Sequence, residues 1–273
     1  MKANNLSISI PYKGCDKNCP YCVSKMTGYS ETREHLFFKN LLKAKKMANI
    51  ANVTSISITG KGEPTLNIEA IKDVCDIFNE YPIEIQTNGL TLAKNLDRIN
   101  HLTSMGVDIF AISMDKLLDF RIMKEVIDRI NHLDKIVRVT MNITDLLTNP
   151  DKFRFEDYIQ ACKEYGVEQF SLRQVTIANN TDRNKTHEWI EKHAKNNYYY
   201  KLIQQFESLG WNNENIKLIR SLPYGAKLYD VEGVSFTYFN YCIQDSSNGE
   251  DIRSLIYDGH LGTSWASKAG RIF

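Results

Sequence analysis

Strand-like and helical segments alternate along most of this chain of 273 residues. Short runs rich in β-branched residues have the period-two pattern of strands, and the segments between them have the apolar spacing of helices. The predicted strands are residues 6–10, 55–59, 83–87, 108–113, 136–143 and 169–173. The predicted helices are residues 31–49, 68–81, 92–105, 117–133 and 155–165. This repetition predicts parallel strands covered by helices. We therefore expect an α/β fold, a partial (β/α)6 TIM-like barrel.

The last third of the chain has a different pattern. Between residues 179 and 209 it is polar and helical and contains Trp189 and His193. We interpret the run Tyr198-Tyr199-Tyr200 in this segment as a helix face and a packing edge and not as a stacking surface for bases. Strand-like stretches with turns then predict two hairpins, residues 227–230 with 234–242 and residues 254–257 with 261–265. We therefore expect a partial barrel in residues 1–178. Residues 179–273 are expected to form a helical segment and a C-terminal antiparallel β-hairpin extension, which completes the same domain and covers its substrate side.

Three cysteines, Cys15, Cys19 and Cys22, follow the first predicted strand in a Cys-x3-Cys-x2-Cys pattern. No fourth cysteine lies nearby, and the next histidine, His35, has no second ligand beside it. A structural zinc site would want four ligands at closer spacing, whereas three unrelated thiols could simply be buried in the core. Three thiolates on a four-iron cluster would leave one iron open to another ligand. The pattern favours an iron-sulfur centre that performs chemistry.

The cysteine spacing, with the aromatic Tyr21 before the last cysteine, resembles the signature of the radical S-adenosylmethionine (SAM) enzymes. The resemblance implies a barrel of the radical SAM type and a 4Fe-4S cluster on Cys15, Cys19 and Cys22. It implies that the open iron chelates the amino and carboxylate groups of SAM, with Tyr21 near the cofactor. One electron, from a donor such as flavodoxin or ferredoxin, would then cleave SAM to a 5'-deoxyadenosyl radical that abstracts hydrogen from substrate.

The loop after the second predicted strand carries a further resemblance. Gly62, Glu63 and Pro64 match the end of the family's Gly-Gly-Glu-Pro motif, whose backbone and acid meet the methionine ammonium of SAM. Lys61 stands where the family usually has glycine, which crowds the site or adds a charge. Taken alone, a glycine-rich stretch between a strand and a helix is also ordinary turn chemistry.

The third and fourth predicted strands end in residues that resemble the same family. Thr87 and Asn88 belong to a Thr-Asn-Gly sequence that lines the SAM cavity in many members. Ser113 and Asp115 match a Ser-x-Asp ending whose side chains reach the SAM carboxylate or ribose. A turn and a helix cap are the ordinary alternatives for these two endings. Parallel barrels carry their chemistry at the carboxyl ends of the strands, where all four residues lie.

The fifth and sixth predicted strands supply polar residues to the same rim. The side chains of Arg138, Thr140 and Asn142 point to the same face of the strand, because they are two residues apart. A buried arginine needs an anionic or polar partner. We expect Arg138 and Asn142 to bind the cofactor, with the SAM carboxylate or a substrate acid as the partner of Arg138. Arg173 and Gln174 are expected to bind substrate, since arginine grips a carboxylate in a bidentate fork.

Charge and cysteine content exclude several classes of function. The chain has 34 basic and 33 acidic residues, a net charge of +1, which gives no bulk attraction to nucleic acid or membrane. No apolar run approaches the roughly 20 residues that span a bilayer. Its 6 cysteines, half of them in one short motif, do not resemble a secreted disulfide framework. We expect a cytoplasmic protein without a membrane or nucleic-acid partner.

A second cluster is not expected. The segment from Arg253 to Trp265 resembles the tail that follows cysteine-rich auxiliary-cluster segments in two branches of the family, but only Cys242 remains there. Cys75 and Cys162 lie on apolar helix faces and are better interpreted as core thiols. One cluster is therefore predicted, and Cys242 is a candidate catalytic hydrogen donor.

Substrate identity stays open at this point, because a fold does not determine what its site acts on. The first hypothesis is an enzyme acting on a small polar or nucleotide-like substrate. The alternative is an enzyme that modifies peptides or proteins, such as an epimerase, a cross-linking enzyme or a glycyl-radical activase. A second alternative is a non-enzymatic iron-sulfur protein for sensing or binding.

Overall fold

The computed structural model describes residues 2–27, 34–145, 154–177, 181–210, 215–222, 226–239, 251–263 and 270–273. Within these residues, eleven strands form one sheet. The strands are β1 (Lys2–Ile10), β2 (Ser55–Gly60), β3 (Ile83–Thr87), β4 (Ile109–Met114), β5 (Ile136–Ile143), β6 (Gln169–Gln174), β7 (Ile216–Ser221), β8 (Lys227–Val231), β9 (Val234–Phe239), β10 (Asp251–Tyr257) and β11 (Leu261–Gly262). Their order in the sheet is β11-β10-β1-β2-β3-β4-β5-β6-β9-β8-β7.

The helices connect and cover these strands. They are α1 (Val23–Thr27), α2 (Glu34–Ile50), α3 (Ile68–Ile77), α4 (Leu90–Lys94), α5 (Asp97–Ser104), α6 (Leu118–Ile122), α7 (Lys124–His132), α8 (Phe155–Tyr165), α9 (Lys185–His193) and α10 (Asn196–Gly210). Two predicted helices are each divided. Asn95 adopts an extended backbone (φ −151°, ψ 94°) between α4 and α5, and Met123 leaves helical geometry (φ −92°, ψ 6°) between α6 and α7.

Six parallel strands in chain order, β1 to β6, confirm the predicted α/β fold. The two predicted hairpins are present, since β8 pairs antiparallel with β9 and β10 with β11. Each hairpin also joins the central sheet: β9 pairs parallel with β6, and β10 pairs parallel with β1. The carboxyl ends of β9 and β10 therefore lie at the same edge as those of the first six strands.

One face of the sheet is apolar and covered by helices. Side chains alternate between the two faces of a strand, and the apolar set packs against α2, α3, α7 and α8. Tyr158 of α8 stacks on Phe170 of β6, and Phe37 of α2 contacts Tyr257 of β10. Burial of this set gives the chain its main core. The core strand residues include Leu6, Ile8, Ile58, Ile85, Phe110, Ile112, Val139, Leu172 and Phe236.

The opposite face of the sheet, called the polar face below, carries charged and hydroxyl side chains. Glu84 of β3 and Arg138 of β5 form an ion pair across it, and Arg138 Nε donates to Gln169 Oε1 at 2.8 Å. The other oxygen of Glu84 accepts from Ser57 Oγ at 3.3 Å and from Gln86 Nε2 at 3.0 Å. These mid-strand groups satisfy one another, as buried polar groups require.

In the described parts of the chain, no helix combines the length and the apolar character that a bilayer crossing requires.

Candidate active site

The cysteine loop follows the carboxyl end of β1 and is pressed against the loop after β2. Glu63 N donates to Gly14 O at 2.9 Å. A Cβ atom on Gly62 would lie 2.2 Å from Gly14 O and 2.6 Å from the Tyr12 ring, a contact that no side chain could tolerate. Gly62 therefore permits the close approach of the two loops. The approach fixes the backbone immediately before Cys15.

The three thiols of the loop remain free cysteines. Cys15 is exposed, whereas Cys19 and Cys22 are half-buried. Burial raises the pKa of the Cys19 thiol, although the nearby Lys17 opposes the shift. Because metals bind the thiolate, loading this loop must release protons.

The loop fits the cluster that the family resemblance implies. Among the described residues, no three His, Cys, Asp or Glu side chains converge closely enough to hold a single metal ion. A four-iron cluster does not need such convergence, since each thiolate binds a different iron. The donor set of three thiols from one loop is the set that leaves one iron open. Cys15, Cys19 and Cys22 are therefore the residues that would hold it.

Glu63 is buried and joins the loop after β2 to the end of β3. Its Oε1 accepts from Thr65 Oγ1 and Thr87 Oγ1, both at 2.6 Å, and from Thr65 N at 3.1 Å. Its Oε2 accepts from Asn88 N at 2.8 Å. A carboxylate accepts about four hydrogen bonds, so these contacts use most of its capacity. Pro64 begins the short 3-10 turn Pro64–Leu66 that follows. The expected contact of Glu63 with the SAM amine remains a prediction.

Asn88 connects the end of β3 to the cysteine loop. Its Nδ2 lies 3.8 Å from Cys15 Sγ and donates to Asp16 Oδ1 at 2.9 Å. Asp16 also accepts from Thr91 Oγ1 at 3.1 Å and Lys94 Nζ at 3.2 Å. Burial opposes ionisation of Asp16, but the bonds from Asn88, Lys94 and Thr91 outweigh it and lower its pKa. Sequence reasoning misses Asp16, because only the fold brings α4 beside it.

Tyr21 joins the cysteine loop to the ends of β4 and β5. Its hydroxyl donates to Asp115 Oδ1 and accepts from the Asn142 side chain. Lys17 Nζ forms an ion pair with the other oxygen of Asp115 at 2.8 Å. Burial, and then the charge of Asp115, raise the pKa of Tyr21 well above its usual range. Three predicted site residues from separate parts of the chain thus meet beside Cys22. Ser113 lies on the same polar face, paired in register with Thr140.

Arg138 differs from its expected role. It lies early in β5, four positions before Asn142 on the same face, which is about 13 Å along a strand. Its guanidinium is paired with Glu84 and bonded to Gln169. The anionic partner of this partly buried arginine in the structure is Glu84. A contact of Arg138 with the SAM carboxylate or a substrate acid remains a prediction. We assign Arg138 to the internal ion pair.

Arg173 and Gln174 end β6 on opposite faces of the sheet. Arg173 is in register with Asn142, on the polar face, whereas Gln174 is in register with the core residue Ile143. Side chains of adjacent strand residues point to opposite faces, so the two do not form the single polar wall that we expected. Arg173 Nε is buried, and it has no hydrogen-bond partner among the described residues. Of the two residues, Arg173 is the one beside Asn142 on the polar face. Substrate binding by Arg173 and Gln174 remains a prediction.

Helix α9 packs over the cysteine loop through a small second core. This core contains Met26, Val175, Ile190 and Ala194, with Tyr21 and Trp189 packed against it. The Asn184 side chain, which caps α9, also donates to Lys25 O of α1 at 3.1 Å. From the sequence, Trp189 is placed in a helical segment and given no role. The chain offers no local signal that this face would cover the cysteines.

The remaining cysteines divide into two groups. Cys75 and Cys162 are buried in the core, as predicted, and burial raises the pKa of Cys75 to about 12. Cys242, the predicted hydrogen donor, lies outside the described residues.

The chain matches the family model described as the Radical SAM superfamily over residues 9–147, just over half of its 273 residues. It is 27% identical over 165 residues to a GTP 3',8-cyclase of Clostridium acetobutylicum, covering 56% of this chain and 51% of the relative. It is 30% identical over 111 residues to a 7-carboxy-7-deazaguanine synthase of the same organism, covering 40% of this chain and 48% of the relative. The chain thus spans about half the length of these relatives.

A solved structure shares the fold over a larger part of the chain. The crystal structure of Streptococcus suis SuiB matches 97% of this chain and 60% of its own chain, with a TM-score of 0.60 and 16% sequence identity. At this identity the likeness concerns the fold. It covers the C-terminal strands as well as the first six.

Proposed function

Because the chain belongs to the radical SAM superfamily, whose enzymes use a 4Fe-4S cluster and SAM, we propose that it is a hydrogen-abstracting enzyme acting on a small anionic, nucleotide-like substrate. Cys15, Cys19 and Cys22 would hold the cluster. When bound, the cluster and SAM supply a 5'-deoxyadenosyl radical that removes a hydrogen atom from substrate. An electron donor such as flavodoxin or ferredoxin would provide the electron.

The side chains around the loop would position these groups. Asn88 Nδ2, 3.8 Å from Cys15 Sγ, is a donor toward the thiolate and would hold the loop in place. Asp115 and Asn142 meet at the Tyr21 hydroxyl and offer polar atoms to SAM at the ends of two adjacent strands. Ser113 and Thr87, near the carboxyl ends of β4 and β3, would line the same SAM cavity.

The observation that carries the substrate assignment is the buried Arg173 Nε. No described residue accepts a hydrogen bond from it, and an unpaired buried donor costs roughly 1–3 kcal/mol. A carboxylate or phosphate held by the guanidinium fork would remove that cost. Two relatives are named for GTP and for 7-carboxy-7-deazaguanine, so nucleotide-like anions are the first candidates.

The C-terminal segment would close the substrate side. Helix α9 packs on α1 and on Tyr21, which supports the proposed covering role of residues 179–273. Trp189, 5.7 Å from the Tyr21 ring, would form part of this cover over the bound substrate.

The test is anaerobic reconstitution followed by SAM cleavage. We expect about four irons and four sulfides per chain, and release of 5'-deoxyadenosine with dithionite and SAM. GTP, a guanine nucleoside monophosphate and a purine carboxylate would then be offered, with a small neutral sugar as the control. A fully loaded protein that never releases 5'-deoxyadenosine would overturn the enzymatic proposal. Turnover of the neutral sugar alone would overturn the anionic substrate class.

A further inference from the structure

Two residues near the proposed site form a carboxylate-imidazole pair that the proposed function does not use. Asp145 follows β5, and His193 is the last residue of α9. The Asp145 Oδ2 atom lies 2.7 Å from His193 Nδ1, and Asp145 N donates to His193 O at 2.8 Å. Side chain and backbone together thus fix the orientation of the imidazole.

The geometry defines which imidazole nitrogen is left for chemistry. Because the carboxylate binds at Nδ1, the proton of a neutral imidazole is held there and Nε2 keeps its lone pair. About a quarter of the His193 side-chain surface is exposed. A carboxylate at the far nitrogen also stabilises the imidazolium that forms when Nε2 accepts a proton. The pair has the arrangement of an oriented general base.

The ring of His193 lies beside the proposed site. It stacks on Trp189 with centroids 4.6 Å apart and planes 22° apart. Trp189 in turn lies 5.7 Å from Tyr21, whose hydroxyl meets Asp115 and Asn142. The Trp189 ring therefore lies between His193 and Tyr21, a residue of the cysteine loop.

The carboxylate of Asp145 is not fully used within the protein. Its Oδ1 is buried, and no described residue donates a hydrogen bond to it. A pair that served only to anchor α9 would be expected to satisfy both oxygens, as buried polar groups usually do. The unused oxygen leaves more of the negative charge available to the imidazolium.

We propose that His193, oriented by Asp145, is the general base that accepts a proton from the substrate of this enzyme. His193 Nε2 takes a proton from a substrate O–H or N–H, which leaves the substrate one charge more negative and the imidazole as imidazolium. The proton then passes from Nε2 to solvent, and Asp145 remains ionised throughout. No electron moves in this step. The inference rests on the proposed function only in that a substrate is bound near Trp189. It restricts that substrate to compounds with an ionisable O–H or N–H group.

The first experiment needs neither SAM nor substrate. The full chain, loaded with its cluster, is treated with diethyl pyrocarbonate, and the modification rate of each histidine is followed by mass spectrometry. His101 and His132 are exposed and serve as internal references. We expect His193 to react several-fold faster than both, and Asp145→Asn to slow it. If the pair is only an anchor, Asp145→Asn would loosen His193 and raise its rate, and that result would overturn the proposal.

The second experiment measures the proton transfer in turnover. His193→Asn keeps a donor that can reach Asp145 but removes Nε2, so the anchor persists while the base is lost. With a substrate that the wild-type enzyme converts, we expect product formation to fall by about 10²-fold or more, the usual contribution of a general base. SAM cleavage should continue, and added imidazole should partly rescue His193→Ala. His132→Asn, the same change at an exposed site, is the control.

The two proposals can fail separately. If the protein never cleaves SAM, but its His193 reacts fast and this rate depends on Asp145, the proposed function is overturned. The assignment of His193 as an oriented base then stands. Normal product formation by His193→Asn would overturn the base and leave the function intact.

Discussion

Two layers of polar groups, one in the middle of the strands and one at the carboxyl edge of the sheet, differ in whether their members have hydrogen-bond or ion-pair partners. In the mid-strand layer, Glu84 and Arg138 pair with each other and bond to Ser57, Gln86 and Gln169. In the strand-end layer, at the carboxyl edge, two buried atoms have no described partner. These atoms are Arg173 Nε and Asp145 Oδ1. A closed network on the polar face and two buried atoms without a described partner at the carboxyl edge thus lie only a few residues apart along the strands.

The difference distinguishes polar groups that stabilise the fold from polar groups that are free to bind a ligand. Burying a polar group without a partner costs free energy, and a ligand that pairs with the group recovers that cost. Asn5 Oδ1 and Thr103 Oγ1 are also buried without a described partner, but both lie away from the carboxyl edge. The type of residue does not reveal the difference, since both layers contain an arginine and a carboxylate. The difference shows only in whether each polar atom has a hydrogen-bond or ion-pair partner. We expect substitutions in the closed layer to change stability and substitutions in the open layer to change binding or turnover.

The largest effect is expected at the cluster ligands. Cys19→Ala removes one of three thiolates, so iron content should fall to near zero and 5'-deoxyadenosine formation should be lost. Cys75→Ala, at a buried core thiol, is the matched control and should keep about four irons per chain. Iron, sulfide and 5'-deoxyadenosine analysis of the two variants checks this. Full loading of Cys19→Ala would show that other residues hold the cluster.

The next effect concerns the contact between the first two loops. Gly62→Ala places a methyl group 2.2 Å from Gly14 O, so the cysteine loop must shift and cluster occupancy should drop severely. Gly60→Ala, two residues earlier at the end of β2, is the control, because its Cβ would meet only ordinary contacts of 3.7 Å and more. Iron content after identical reconstitution distinguishes the two. Equal loading would contradict the role given to Gly62.

A smaller effect is expected in the closed layer. Glu84→Gln leaves the Arg138 guanidinium largely buried without its counter-charge and should lower the free energy of unfolding by about 3 kcal/mol. The additional change Arg138→Met should restore part of this loss, since it removes the unpaired charge. Urea denaturation of the two variants measures both effects. If Glu84→Gln instead weakens SAM binding without loss of stability, the assignment of Arg138 to the internal pair is wrong.

The smallest effect is expected in the open layer. Arg173→Gln should weaken substrate binding about tenfold, or roughly 1.4 kcal/mol, with little change in stability. Gln174→Ala, the neighbouring residue on the opposite face, should leave substrate affinity unchanged. Substrate titrations of both variants test the contrast between the faces. Loss of stability in Arg173→Gln, with unchanged affinity, would place Arg173 in the closed layer instead.

Much of the central fold could be predicted from local pattern. Five of the six predicted strands begin and end within one residue of β2 to β6, and the first ends with β1 but begins four residues late. The agreement arises because period-two alternation of β-branched residues is a local property. The divisions at Asn95 and Met123 were not predicted, since both residues lie within continuous helical spacing. The parallel pairing of β9 with β6 and of β10 with β1 was also missed. Hairpin turns reveal which strands adjoin in sequence, but not which distant strand they join.

The sequence alone determined the cysteine loop and the strand-end motifs, because ligand spacing and strand periodicity depend on residues close together in the chain. Only the tertiary structure decided what these residues meet. Arg138 pairs with Glu84 at a sequence separation of 54 residues, Asp145 with His193 at 48, and Tyr21 with Asp115 at 94. Such pairs depend on which strand ends and helices pack together, and no local pattern encodes that. Which polar groups remain open to a ligand is therefore a property of the packed chain.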